Sequence, residues 1–90
     1  MAPQPDLAAP IRIYGTDWCS DCRLARAFFE QQGIPHVWID PDRDPEAEAF
    51  VLRVNHGLRS VPTIVFPDGS VLVEPSLATL ARKLGSAASG

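Results

Sequence analysis

Cysteine is scarce in this chain of 90 residues: there are two, both inside Trp18-Cys19-Ser20-Asp21-Cys22. That argues against a small secreted domain stapled by disulfides, which carries several pairs. Long apolar runs are missing, and nothing approaches the roughly 20 residues that span a bilayer. Residues 1–10 hold neither the basic n-region nor the apolar h-region of a secretion signal, so cytoplasm is the expected location. Basic charge is in deficit, with eight Lys and Arg against eleven Asp and Glu and a net charge of −3. A nucleic-acid-binding surface is not expected from such a balance. His36 and His56 are the only histidines, neither at zinc-finger spacing, so no metal site is expected. No extra apolar stripe suggests a subunit contact, and a monomer is expected.

What is present reads as one α/β domain over residues 11–85, between a loose leader (1–10, with Pro3, Pro5 and Pro10) and a disordered small-residue tail (86–90). Ile11-Arg12-Ile13-Tyr14 is a short strand ended by Gly15. From Cys19 to Gln32 the apolar positions Cys22, Ala25 and Phe29, with Leu24 and Phe28 beside them, recur at helical spacing. Gly33 suits the residue just past that helix, and Pro35 stops it. Val37-Trp38-Ile39 is a second strand. Asp44 can then cap a helix with Pro45 at its first position, and Ala47, Phe50, Val51, Val54 and Leu58 form its apolar face up to Gly57. Thr63-Ile64-Val65-Phe66 and Val71-Leu72-Val73 flank Pro67-Asp68-Gly69-Ser70, a hairpin signal. Pro75-Ser76 opens a last helix with Leu77, Leu80, Ala81 and Leu84 on one face and Gly85 at its end. The order β-α-β-α-β-β-α predicts a four-stranded mixed sheet flanked by three helices, with the first two strands parallel.

The two cysteines carry the chemistry. Two intervening residues let them close a small disulfide ring at a helix start, where free N–H groups and the positive end of the macrodipole favour thiolate. The thiolate is the species that attacks disulfides, so the pair reads as a thiol–disulfide exchange centre. Cys19 precedes the helix and is the expected nucleophile. Cys22, one turn inside on the apolar side, is the expected resolving thiol, which makes the second attack intramolecular. Asp17 and Asp21 place carboxylates near the sulfur and oppose thiolate formation, while Arg23 and Arg26 oppose the carboxylates. Trp18 is expected as a half-exposed wall of the site.

Ser60-Val61-Pro62-Thr63 is the second constellation. A proline can begin a strand because its missing N–H is not needed there. A cis Val61–Pro62 peptide would bring the Val61 backbone beside Cys19, where it could pair with an extended thiol. Residue frequencies alone favour trans.

Over residues 11–85 the chain resembles the thioredoxin-fold redoxins, in particular the actinobacterial-type glutaredoxins called mycoredoxins. The stretches that carry the resemblance are Thr16-Asp17-Trp18-Cys19-Ser20-Asp21-Cys22-Arg23, then Val54-Asn55-His56-Gly57-Leu58-Arg59-Ser60-Val61-Pro62-Thr63, and Phe66-Pro67-Asp68-Gly69-Ser70 followed by Glu74-Pro75-Ser76. The resemblance implies a glutaredoxin-like fold and reduction of mixed disulfides between proteins and a low-molecular-weight thiol, mycothiol in the name-giving members. It implies no bound cofactor, that thiol as co-substrate, attack by Cys19 on the small thiol's sulfur, and regeneration by a second thiol or by Cys22. It also implies a cis Pro62, with Trp18, Ser20, Asp21 and Val61 lining the substrate. Ser20-Asp21 stands where glutaredoxins commonly have Pro-Tyr and mycoredoxins often Gly-Tyr. The Gly-Gly segment that binds glutathione in ordinary glutaredoxins is replaced by Pro67-Asp68-Gly69, which makes glutathione the less expected thiol.

Two other readings use the same residues. Trp before the first cysteine is also the thioredoxin pattern, consistent with a general protein-disulfide reductase fed by a flavin disulfide reductase, or an electron donor to ribonucleotide reductase. The short opening, without the extra strand and helix of thioredoxins, weighs against both. A non-catalytic thioredoxin-like binding module would be expected to lack the nucleophile, which is present.

Overall fold

Ile11 and Ile13 point one way from the first strand and Tyr14 the other, and all three are buried, so the strand must be covered on both faces. The computed structural model, which describes residues 10–88, shows how. The elements are β1 (Ile11–Tyr14), α1 (Ser20–Gln31), β2 (His36–Ile39), α2 (Pro45–Val54), β3 (Thr63–Val65), β4 (Val71–Val73) and α3 (Leu77–Ala88). The sheet order is β2-β1-β3-β4, with β1 parallel to β2 and antiparallel to β3, and β3 antiparallel to β4. The β-α-β-α-β-β-α order and mixed sheet match the expectation from the sequence.

One face of the sheet packs Ile11, Ile13, Ile64 and Phe66 against Ala25 and Phe29 of α1 and Leu80 of α3. The other packs Tyr14 and Val65 against Ala47 and Val51 of α2, with Tyr14 and Phe50 stacked at 4.8 Å. Phe29, Ile13, Ile64 and Leu80 are fully buried, and each such side chain contributes about 1.5–3 kcal/mol of transfer free energy. The central strands thus fix a three-layer sandwich, and the start of α1 at one end of it holds both cysteines, Cys19 as N-cap and Cys22 in the first turn.

The element ends follow their local chemistry. Asp44 caps α2 by accepting from the N–H groups of Glu46 and Ala47, with Pro45 behind it. Gly33 sits at φ 65° just past α1, as its place in the sequence suggested. The Ser76 hydroxyl accepts from Thr79 N–H and caps α3.

Some expectations fail. Gly85 does not end α3, which runs on to Ala88; Gly85 has no left-handed φ, and Ser86-Ala87-Ala88 contains no helix breaker. The tail expected as disordered over 86–90 is therefore helical as far as residue 88, and residues 89–90 lie outside the described residues. The loose leader likewise falls outside them except for Pro10, which is exposed. Leu58 is not on the buried face of α2: the helix stops at Val54, His56 and Gly57 take positive φ, and Leu58 is 67% exposed. Leu77 and Ala81 of α3 are also exposed, because α3 meets the sheet through Leu80 and Leu84.

Candidate active site

Cys19 is the N-cap of α1, with φ −90° and ψ 118°, and its sulfur accepts the backbone N–H of Cys22 at 3.3 Å. A serine or aspartate oxygen usually fills this role. A sulfur there takes up one of the helix's unsatisfied donors and sits at the positive end of its dipole. Cys19 is half-buried, Cys22 is fully buried, and both are free thiols. An incoming disulfide can reach the first sulfur and not the second.

Burial, followed by the neighbouring Cys19, pushes the Cys22 thiol up to about 12, against an opposing influence of Thr16. Its sulfur lies against Gly15: a methyl group at Gly15 would stand 3.2 Å from it and 2.8 Å from the ring of Trp38. Gly15 is therefore required for a close approach between strand and helix, a role beyond ending β1.

Above Cys19 lies the loop before β3. The Val61–Pro62 peptide is cis, both residues are buried, and the Val61 carbonyl is 3.9 Å from the Cys19 sulfur. Residue frequencies that favour trans are overridden at this position. Thr63 anchors the loop from within: its hydroxyl donates to Ser60 C=O at 2.7 Å and accepts from the Asn55 side-chain amide at 3.1 Å. The same amide group donates to Val51 C=O at 2.8 Å, and Glu74 N–H donates to Pro62 C=O at 2.9 Å. The buried Thr63 hydroxyl thus both donates and accepts in holding this loop.

Trp18 stands 65% exposed and is fixed at its polar end, its indole N–H donating to Asp42 Oδ2 at 2.8 Å. Asp42 in turn pairs with Arg59, which also reaches Glu48 at 3.1 Å. The Trp18 N–H first, and then Arg59, hold the Asp42 carboxyl below its ordinary range, with desolvation opposing. This chain of contacts joins the loop before α1, the loop before α2 and the loop before β3.

Of the other residues proposed from the sequence, Ser20 and Asp21 occupy the exposed first turn of α1. Asp17 is exposed and meets Arg26 at 3.8 Å, while Arg23 donates to the Asp17 carbonyl at 2.6 Å instead of facing its carboxylate. Arg23 therefore braces the loop. Asp42, Arg59 and Thr16 were not singled out as site residues from sequence; Thr16 and Arg59 appear only within the stretches that carry the resemblance. No local signal ties Asp42 to Trp18, which is 24 positions away.

A thiol that solvent reaches at a helix N-cap, with a second held behind it in a sheet–helix sandwich, defines a thioredoxin-like thiol–disulfide oxidoreductase. Within that class the chain belongs to the glutaredoxin family, whose profile, described as Glutaredoxin, matches residues 11–72. It is 38% identical over 74 residues to Mycoredoxin 1 of Corynebacterium glutamicum, covering 82% of this chain and 91% of that one. It is 36% identical over 78 residues to a Mycobacterium tuberculosis protein assigned to the glutaredoxins, covering 87% and 93%. Among solved structures, the thioredoxin-like protein BC3987 superposes with a TM-score of 0.70 at 24% identity, over 80% of this chain and 96% of the other. The protein is a glutaredoxin-family oxidoreductase and a homologue of the mycoredoxins. No helix among the described residues is long and apolar enough to cross a membrane.

Proposed function

We propose that this oxidoreductase removes a low-molecular-weight thiol from protein mixed disulfides, with Cys19 as attacking sulfur and Cys22 as resolving sulfur. The observation that carries the assignment is the contrast between the two thiols: Cys19 half-exposed at the N-cap, Cys22 fully buried one turn behind. The Cys19 thiolate attacks the small thiol's sulfur, the S–S bond between that sulfur and the client protein's sulfur breaks, and the client's thiolate leaves and takes up a proton. A second small thiolate can then attack the adduct, forming its own symmetrical disulfide and restoring Cys19. Alternatively Cys22 attacks Cys19, the small thiol leaves with the proton, and a Cys19–Cys22 disulfide remains. That disulfide needs two further electrons, from two equivalents of thiol or from a flavin disulfide reductase. Trp18, Ser20, Asp21 and Val61 with cis Pro62 line the substrate, and Asp17 adjusts the sulfur's electrostatics. The thiol is a co-substrate; no bound cofactor takes part.

The thiol we favour lacks free carboxylates, as mycothiol does. Asp17 and Asp21 flank Cys19, and the arginines around the site are engaged within the chain: Arg23 with the Asp17 carbonyl, Arg26 with Asp17 and Glu30, Arg59 with Asp42 and Glu48. A thiol with two carboxylates, such as glutathione, would have to approach a sulfur flanked by two acids. The homology to Mycoredoxin 1 supports the same choice.

Turnover of one protein carrying mycothiol, bacillithiol or glutathione, each with its matching free thiol, tests the reading. Preference for the mycothiol adduct is the expected outcome. Equal, slow turnover of all three beside fast reduction of an ordinary protein disulfide would replace it with the thioredoxin-type reading. Cys22→Ser should still accept an adduct on Cys19, and Cys19→Ser should abolish all turnover; an active Cys19→Ser variant would reverse the roles.

A further inference from the structure

Asn55 follows the last turn of α2, and its side chain reaches further than the helix end requires. The Val51 carbonyl already accepts the Asn55 backbone N–H at 3.1 Å, so that turn has its partner without the amide. The amide nonetheless meets the same carbonyl at 2.8 Å and, beyond it, the Thr63 hydroxyl at 3.1 Å. Thr63 is fully buried. With a lone pair of its oxygen taken by Asn55, its proton is directed to Ser60 C=O at 2.7 Å. The bonds therefore run in one sense, from Asn55 through Thr63 to Ser60. That last carbonyl shares a peptide unit with the Val61 N–H. The unit is trans and planar, so its C=O and N–H point opposite ways. A hydroxyl that grips the Ser60 carbonyl thus aims the Val61 N–H away from itself. The Val61 carbonyl, in the next unit, stands 3.9 Å from the Cys19 sulfur.

We propose that Asn55 and Thr63 are positioning residues for the small thiol: together they fix the aim of the Val61 N–H, which donates to an amide carbonyl beside the thiol's sulfur. The substrate class this selects is a cysteine-derived thiol with amide groups next to its sulfur, over one whose sulfur sits on a plain alkyl chain. The inference rests on the reading that Val61 lines the substrate. Strand-like pairing of this kind needs a donor held within the narrow angular range of a hydrogen bond. The Ser60 carbonyl supplies that constraint from the far side of the peptide plane. Neither Asn55 nor Thr63 touches substrate. Without the amide, the Thr63 hydroxyl is free to turn from Ser60, so loss of Asn55 weakens the grip and loss of the hydroxyl removes it.

Two neutral adducts of one client protein separate main-chain pairing from charge: N-acetylcysteinamide, which carries amides, and 2-mercaptoethanol, which carries none. The ratio of kcat/KM for the two, with one free thiol as common reductant, is the quantity to follow. The native chain should prefer the N-acetylcysteinamide adduct. Thr63→Val, which keeps the shape and removes the hydroxyl, should lower that preference about tenfold, equivalent to about 1.4 kcal/mol. Thr63→Ser should restore it. Asn55→Ala, at a half-buried position, should lower it about threefold, and adding it to Thr63→Val should cost nothing further, because both act through one bond. A loss of stability alone would slow both adducts equally and leave the ratio where it was. An unchanged ratio in Thr63→Val and Asn55→Ala would therefore overturn the role of the two residues; should Thr63→Val not fold, the ratio in Asn55→Ala decides. A native chain with no preference would overturn the pairing by Val61 itself, and one that turns over neither adduct would overturn the proposed function.

Discussion

Two aspartates in this molecule have carboxyls held below their ordinary range, at opposite functional extremes. Asp68, in the β3–β4 turn, pairs with Lys83 of α3 at 2.7 Å and accepts from the hydroxyl and N–H of Ser70. Lys83 first, then Ser70, lowers it. Asp42 sits before α2, takes the Trp18 indole N–H, and meets Arg59 in the loop before Pro62. The ionic chemistry is similar and the consequence is not. One cluster staples a hairpin turn to the last helix, far along the chain from either cysteine. The other ties together three loops, one of which carries Cys19 and another Val61 and cis Pro62. What a surface ion pair does for function depends on which segments it joins, since its contribution to stability is small in either place.

The comparison is broken most severely at Gly15, which belongs to the packing beneath the site. Gly15→Ala forces a methyl against Trp38 and Cys22; overpacking of this kind costs about 1–3 kcal/mol. The urea midpoint should fall and turnover with it, and Trp38→Leu in the same chain should restore part of the midpoint. An unaltered midpoint for Gly15→Ala alone would mean that the ring moves aside freely.

Asp42→Ala sharpens the contrast. It frees Trp18 and leaves Arg59 with Glu48 alone, and should lower turnover of protein mixed disulfides about three- to tenfold, the range of one lost hydrogen bond. Alkylation of Cys19 by a small reagent should be unchanged, because the sulfur's own contacts are to α1 and Val61. Equal loss in both assays would show that Asp42 acts on the sulfur and not on the docking wall.

Asp68→Ala, the smallest effect, should leave turnover at the native level. Both aspartates share one pH dependence. Each has a folded pKa below its unfolded value, so its contribution to stability is complete above about pH 4 and is lost as pH falls further through the folded value. Acid unfolding curves of Asp42→Ala and Asp68→Ala should therefore converge on the native curve at low pH and separate from it above about pH 4. Separation only under alkaline conditions would contradict the shifts.

Local signals were readable wherever a residue acts on its own neighbours. Asp44-Pro45 announced the start of α2 because cap and first turn are adjacent in sequence, and Asp68-Gly69 announced the hairpin for the same reason. Periodicity found Ala25, Phe29, Val51 and Leu80, all buried. It misjudged Leu58, Leu77 and Ala81, since a helical stripe is buried only where another layer lies over it. Gly85 reads locally as a stop signal, yet glycine stops a helix when it adopts a left-handed φ, and here it does not. The long-range partnership of Trp18 with Asp42 and Arg59 left no pattern, because ion pairs between loops have no fixed spacing.

The sequence by itself determined the order of elements, the helix start beneath Cys19 and the presence of two thiols one turn apart, since all of these depend on short-range geometry. The tertiary structure decided the rest. Packing of α1 on the sheet buried Cys22 and left Cys19 reachable. The sheet order carried Val61 and cis Pro62 to the sulfur from more than forty positions away. The close approach of α1 and β2 to Gly15 set the Cys22 sulfur and the Trp38 ring against the end of β1. Each is a matter of which distant groups share a small volume, and no run of neighbouring residues encodes that alone.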